Sequence, residues 1–144
     1  MKALKYTFIL LILVPACHSK PNQEESPLAV VIKLQAAESF FDLKEAQKFI
    51  DVERVFGNMA SDTLTAKDAW ESVVMFGKSL ARDKKFTNFF RYYEYKITEE
   101  VSKHNASVCF ESINRERPTR KIIFSLESRN NHWIVVSIKY QGGK

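Results

Sequence analysis

Between residues 91 and 140 the chain alternates apolar and polar side chains with a period of two, in four runs separated by short polar segments. The runs cover residues 91–101, 106–113, 119–127 and 132–140, and the interruptions at 102–105, 114–118 and 128–131 have hairpin length. Such alternation specifies strands with one buried face, and hairpin connections make neighbouring strands antiparallel. Ala106, Val108 and Phe110 share a face, as do Ile122, Phe124 and Leu126, and then Ile134, Val136, Ile138 and Tyr140. That face is expected to lie against the rest of the chain. The opposite face carries Ser107, Cys109 and Glu111, then Ile123, Ser125 and Glu127, then Trp133, Val135, Ser137 and Lys139. Ile123, Trp133 and Val135 are poor choices for open water. With Cys109 they form a candidate interface, covered by a second copy or by another protein.

The segment before these strands reads as helical. Ser26-Pro27 is an N-cap followed by a proline where its missing N–H costs nothing. Val30, Leu34, Ala37 and Phe41 then recur on one helix face, with Gln35 and Ser39 opposite. Asp42 with Glu45, and Asp51 after it, predict two short capped helices ending near Gly57 and Asn58. Thr65 with Asp68 repeats the capping pattern before the longest periodic run. There Ala69, Val73, Phe76 and Leu80 form one apolar stripe and Trp70, Val74, Gly77 and Ala81 a second, both expected to be covered. Gly77 either admits a close neighbour or is a tolerated weak point. Helices first and an antiparallel meander after them predict an α+β domain, N-terminal helices packed on one face of a curved four-stranded sheet.

The first residues are an address. A positive start at Lys2 and Lys5 precedes the apolar run 7–14 and the box Val14-Pro15-Ala16-Cys17. The run is well short of the ~20 residues that span a bilayer. The box resembles the bacterial lipoprotein signal, which implies removal of residues 1–16 and acylation of Cys17; the same box would also serve an ordinary secretory peptidase. Residues 17–26 then make a lipidated cysteine and polar tether, and residues 27–144 the domain. By resemblance to known sorting rules, Ser19 after His18 favours the outer membrane, so the protein is expected in the cell envelope, facing periplasm or surface.

Element order, the Phe40-Phe41-Asp42 to Phe49 helical opening and the strand beginning His132-Trp133-Ile134 resemble the nuclear transport factor two-like superfamily, and within it bacterial lipoproteins of unknown function. The resemblance covers roughly residues 27–140 and implies a cone of helices on a strongly curved sheet. A cystatin-like single-helix arrangement is the competing architecture. Enzymes of that superfamily work inside the cone with Asp, His or Tyr, which directs attention to Tyr93 and Tyr95 near Trp70 as a candidate pocket. Core packing is the plainer role for all three.

Several function classes are excluded by motif. His18, His104 and His132 are not paired in sequence with acids that would tune them, so no catalytic residue is assigned. Metal-ligand spacing and glycine-rich phosphate loops are missing, so no cofactor is expected. Without Lys2 and Lys5 the formal charge falls from +5 to +3, too small for a nucleic-acid binder without a motif. Arg115, Arg117, Arg120 and Lys121 surround one hairpin, as a solubilising tip or as a contact for anionic headgroups or glycans. The expected role is a membrane-tethered, non-enzymatic binding or interaction module; the alternative is a small-ligand carrier or cone-pocket enzyme of isomerase or dehydratase type.

Overall fold

A computed structural model describes residues 25–82, 92–114 and 119–142, without the side chains of Lys78, Leu80, Ala81, Arg82 and Tyr93. The address segment, Cys17, most of the tether, and Arg115 and Arg117 lie outside the described residues. Four helices, α1 (Pro27–Phe40), α2 (Leu43–Ala46), α3 (Val52–Phe56) and α4 (Ala66–Arg82), precede four strands, β1 (Tyr95–Val101), β2 (Asn105–Ser112), β3 (Thr119–Arg129) and β4 (His132–Gly142). The strands form one antiparallel sheet in the order β1-β2-β3-β4. The fold is the expected α+β layer, with a sheet that does not close into a barrel.

Local chemistry starts each helix where the sequence placed it. The Ser26 hydroxyl accepts the Ala29 N–H at 3.2 Å, and Pro27 occupies the first turn of α1. Asp42 accepts from Glu45 N at 3.0 Å, and Asp51 from Arg54 N at 3.2 Å. Before α4, Asp68 N donates to the Thr65 hydroxyl at 3.1 Å while Thr65 N returns a bond to Asp68 at 3.0 Å. These bonds satisfy first-turn N–H groups that a helix cannot satisfy itself. The Thr65 hydroxyl also donates to Asp68, and this bond holds the Asp68 carboxyl below its ordinary range.

The core sits between α1, α4 and the inner sheet face. Val31, Leu34, Trp70, Val108, Phe110, Leu126 and Val135 are its most enclosed side chains. Phe110 is central, with Phe124 and Tyr95 meeting it edge-on at centroid distances of 5.7 and 6.3 Å. Each such large apolar side chain contributes roughly 1.5–3 kcal/mol through burial.

β4 departs from simple alternation. Ser125 pairs with Ser137, but the next residue of β3, Leu126, pairs with Val135, so Val136 is an extra residue in β4. This β-bulge reverses the alternation: Trp133 and Val135 point inward before it, Ile138 packs against the core after it, and Val136 is itself buried. The expectation that Trp133 and Val135 lie on the outer face is therefore corrected; they are 7% and 0% exposed. Ile134, expected inward, is only half-buried and pairs with Glu127. The β3–β4 turn is also tighter than expected, two residues, Asn130 and Asn131, both at positive φ (52° and 63°). Asparagine tolerates that conformation, and it matches the twist of the flanking strands.

Two more expectations change. β1 begins at Tyr95, because residues Tyr92–Glu94 form a 3-10 turn rather than strand. On α4 only one stripe is covered: Ala66, Ala69, Trp70 and Val74 are buried, while Val73 and Phe76 are 41% and 64% exposed. The described part of α4 rests mainly on α3 and α1, so it has one buried side.

Candidate functional site

The outer sheet face is built from the outward side chains of successive strands in register. One row across the sheet is Thr98, Cys109, Ile123 and Lys139; the next toward the β2–β3 end is Lys96, Glu111 and Lys121; on the other side lie Glu100, Ser107, Ser125 and Ser137. Three serines side by side on three strands leave a depression, because their side chains are short and the bulge at Val136 bends the neighbouring backbone. The result is a groove of about 620 Å³ lined by the three serines with Glu100, Lys139 and Arg54. No side-chain hydrogen bond occupies the serine hydroxyls among the described residues, so each can donate and accept toward a ligand.

A chain of charges borders this groove. Arg54 on α3 reaches Glu127 on β3 at 2.6 Å, Arg129 contacts the same carboxylate at 3.4 Å, and Arg129 also meets Asp51 at 2.8 Å. Asp51 caps α3, so the network joins the start of that helix to two positions on β3. Hydrogen bonding from Arg54, then from Arg129, holds the Glu127 carboxyl below its ordinary range. The groove border is thus zwitterionic, with both signs fixed in place.

A second polar cluster lies on the helix side. The Trp70 indole N–H donates to Glu38 at 2.8 Å, and the Tyr92 hydroxyl donates to the Gln35 side-chain oxygen at 3.2 Å. Gln35 and Glu38, three residues apart on α1, are neighbours on the helix surface. Burial pushes the Glu38 carboxyl up, and the Trp70 bond only partly opposes it. Burial also raises Tyr92. Tyr140 is 65% exposed as a whole residue, yet its phenol is pushed up by enclosure and then by the charge of Glu38. The cluster thus sets an enclosed carboxyl one helical turn from the Gln35 side chain that Tyr92 reaches, with Tyr140 within electrostatic range of Glu38.

Of the residues expected in a pocket, Trp70 is fully buried and anchors Glu38. Tyr95 is half-buried against Phe110. Tyr93 lies in the turn before β1, and its side chain is outside the described set. Among the described side chains, the polar group that meets Trp70 is the carboxyl of Glu38. Of the residues expected at an interface, Cys109 is a half-buried free thiol next to half-buried Ile123 on the outer face, while Trp133 and Val135 are in the core. Sequence reasoning missed Gln35, Glu38 and Tyr92. The signal for Glu38 was available, since it flanks the apolar stripe of α1; Gln35, expected opposite that stripe, is instead reached by Tyr92.

Among the described residues no three His, Cys, Asp or Glu side chains cluster as a metal site, and no helix is long and apolar enough to cross a membrane. Comparison of the chain with known protein families, characterised proteins and solved structures finds no match to any of them.

Proposed function

We propose that this protein is a membrane-tethered, non-enzymatic binding module of the bacterial cell envelope, with the outer sheet face as its contact surface. The observation that carries this reading is the serine-lined groove of about 620 Å³ whose lining includes Arg54 and Glu127, themselves ion-paired, with Arg129 on the far side of Glu127. It offers unoccupied hydroxyls and charges of both signs without a nucleophile–base pair, a composition suited to recognition. The tether reading rests on the Val14 to Cys17 box, and the envelope location follows from it. A photo-crosslinking side chain at Ser125 in the full chain tests this in intact cells. A defined adduct from Ser125, lost when Ser107→Tyr fills the groove and missing from a control probe at Ile32, is the expected result. Equal labelling from Ser125 and Ile32 would remove the groove from consideration.

The alternative, a small-ligand carrier or cone-pocket enzyme, is favoured by Glu38, whose enclosed carboxyl is held by Trp70 on the side where the resembled superfamily places its pocket. Native mass spectrometry of the full chain separates the readings. A co-purifying small molecule lost in Glu38→Gln supports the carrier; its retention in that variant does not.

A further inference from the structure

We propose that β1 pairs edge to edge with β1 of a second copy of this chain, antiparallel about a two-fold axis at Thr98, so that Lys96 of each copy meets Glu100 of the other. This goes beyond the groove reading and does not depend on what the groove binds.

β1 is the outer edge of the sheet. Its bonds to β2 are fixed in phase by Ile113 N–H to Glu94 O at 2.9 Å and Ser102 N–H to Asn105 O at 2.8 Å, both on even-numbered positions of the β1 side. Bonded pairs recur every second residue in an antiparallel ladder, so the main-chain groups of Ile97, Glu99 and Val101 point away from β2. None of these three has a main-chain partner on that side among the described residues. The edge can template another strand unless its side chains forbid it.

The side chains select one partner and one register. Outward-pointing groups must oppose each other, which lets a two-fold axis pass through Ile97, Thr98 or Glu99. An axis at Ile97 sets Glu100 against Glu94, and an axis at Glu99 sets Glu99 against itself. The axis at Thr98 sets Lys96 against Glu100 twice, and places Val101, 56% exposed, across from Tyr95. Like charges directly opposite destabilise a strand pair and opposite charges stabilise it. Lys96 and Glu100 make no ion pair among the described residues, whereas Glu111, one strand inward, is paired with Lys121 at 3.4 Å. The two outward charges of β1, unmatched within one copy, are thus the two that the second copy matches. Because Glu100 and Val101 also line the groove, Lys96 of the second copy would complete its rim.

The test uses the full chain in mild detergent, with Cys109→Ser throughout, because Cys109 lies directly across from Thr98 within one copy. With Thr98→Cys added, mild oxidation should give a covalent dimer on a non-reducing gel, well above the Cys109→Ser background. Lys96→Cys and Glu100→Cys should cross-link to each other when mixed but not to themselves. Sedimentation should show that Lys96→Glu alone, or Glu100→Lys alone, weakens the dimer about tenfold or more, and that the double reversal restores it. No dimer from Thr98→Cys, self-linking at Lys96→Cys equal to that at Thr98→Cys, or failure of the double reversal to recover association would each overturn the proposal.

Discussion

The Trp70 indole N–H donates to the Glu38 carboxyl at 2.8 Å, joining α1 to α4 through a hydrogen bond whose acceptor is an enclosed acid. Because the folded state raises the Glu38 pKa above its ordinary carboxylate value, folding favours the protonated acid. Its contribution is fully present below the unfolded pKa and is lost as pH rises through the folded one. Glu38→Gln keeps an acceptor for Trp70 and removes the charge. It should raise stability at pH values above the folded Glu38 pKa and abolish this decline, as read by urea melts across a pH series. Glu38→Leu strands the indole N–H and should cost roughly 1–3 kcal/mol.

Trp133 is 7% exposed, so Trp133→Ala should cost about 3–5 kcal/mol in denaturant unfolding and Trp133→Arg should prevent folding. Ile123→Ser, at a half-buried outer-face position, should cost less than Trp133→Ala. If Trp133→Arg instead left a folded chain with weaker association, the inward placement set by the bulge would be wrong.

Asp51 serves α3 twice, as its N-cap and as the ion-pair partner of Arg129 at 2.8 Å. Asp51→Ala should cost about 1 kcal/mol through the cap alone. Asp51→Asn keeps a capping oxygen and should lose less. Glu127 acts in the opposite pH direction to Glu38: its depressed pKa gives stability present above the unfolded value and lost as pH falls through the folded one. Acid unfolding of Glu127→Gln should therefore lack part of the wild-type loss.

Among the described residues nothing lies within 4 Å of where a Cβ on Gly77 would stand. Of the two roles the sequence left open, close approach has no neighbour among those residues. Gly77→Ala should stabilise the protein by about 0.5–1 kcal/mol, measurable as a higher urea midpoint with an unchanged slope.

What the sequence made legible was local chemistry. The caps at Ser26, Asp42, Asp51 and Thr65 could be read because each involves residues three apart whose roles do not depend on the rest of the chain. The outward serines were legible for the same reason on β2 and β3, where alternation runs unbroken. The inward position of Trp133 was not, because the bulge at Val136 is fixed by which residue of β3 lies opposite, a fact held by the partner strand. Tyr92 was passed over because the strand was started too early, whereas a 3-10 turn there brings the Tyr92 hydroxyl to Gln35 on α1. Glu38 was hidden by its type: a carboxylate beside an apolar stripe looks solvated until Trp70, 32 residues later, is placed above it.

The strand that closes this fold is the last one made. Ile50 bridges Val135, with Asp51 N–H donating to Val135 O and Val135 N–H to Phe49 O, both at 2.9 Å. The first turn of α1 likewise waits for β1, since Leu28 N–H donates to the Glu99 carboxylate at 3.0 Å. Contacts this distant along the chain form late and slowly. A chain leaving the ribosome from its N-terminus would thus hold its helices undocked until nearly its whole length had emerged, and a truncation before Val135 should leave even the first helices without their seat. Such lateness keeps the polypeptide threadable for most of its synthesis.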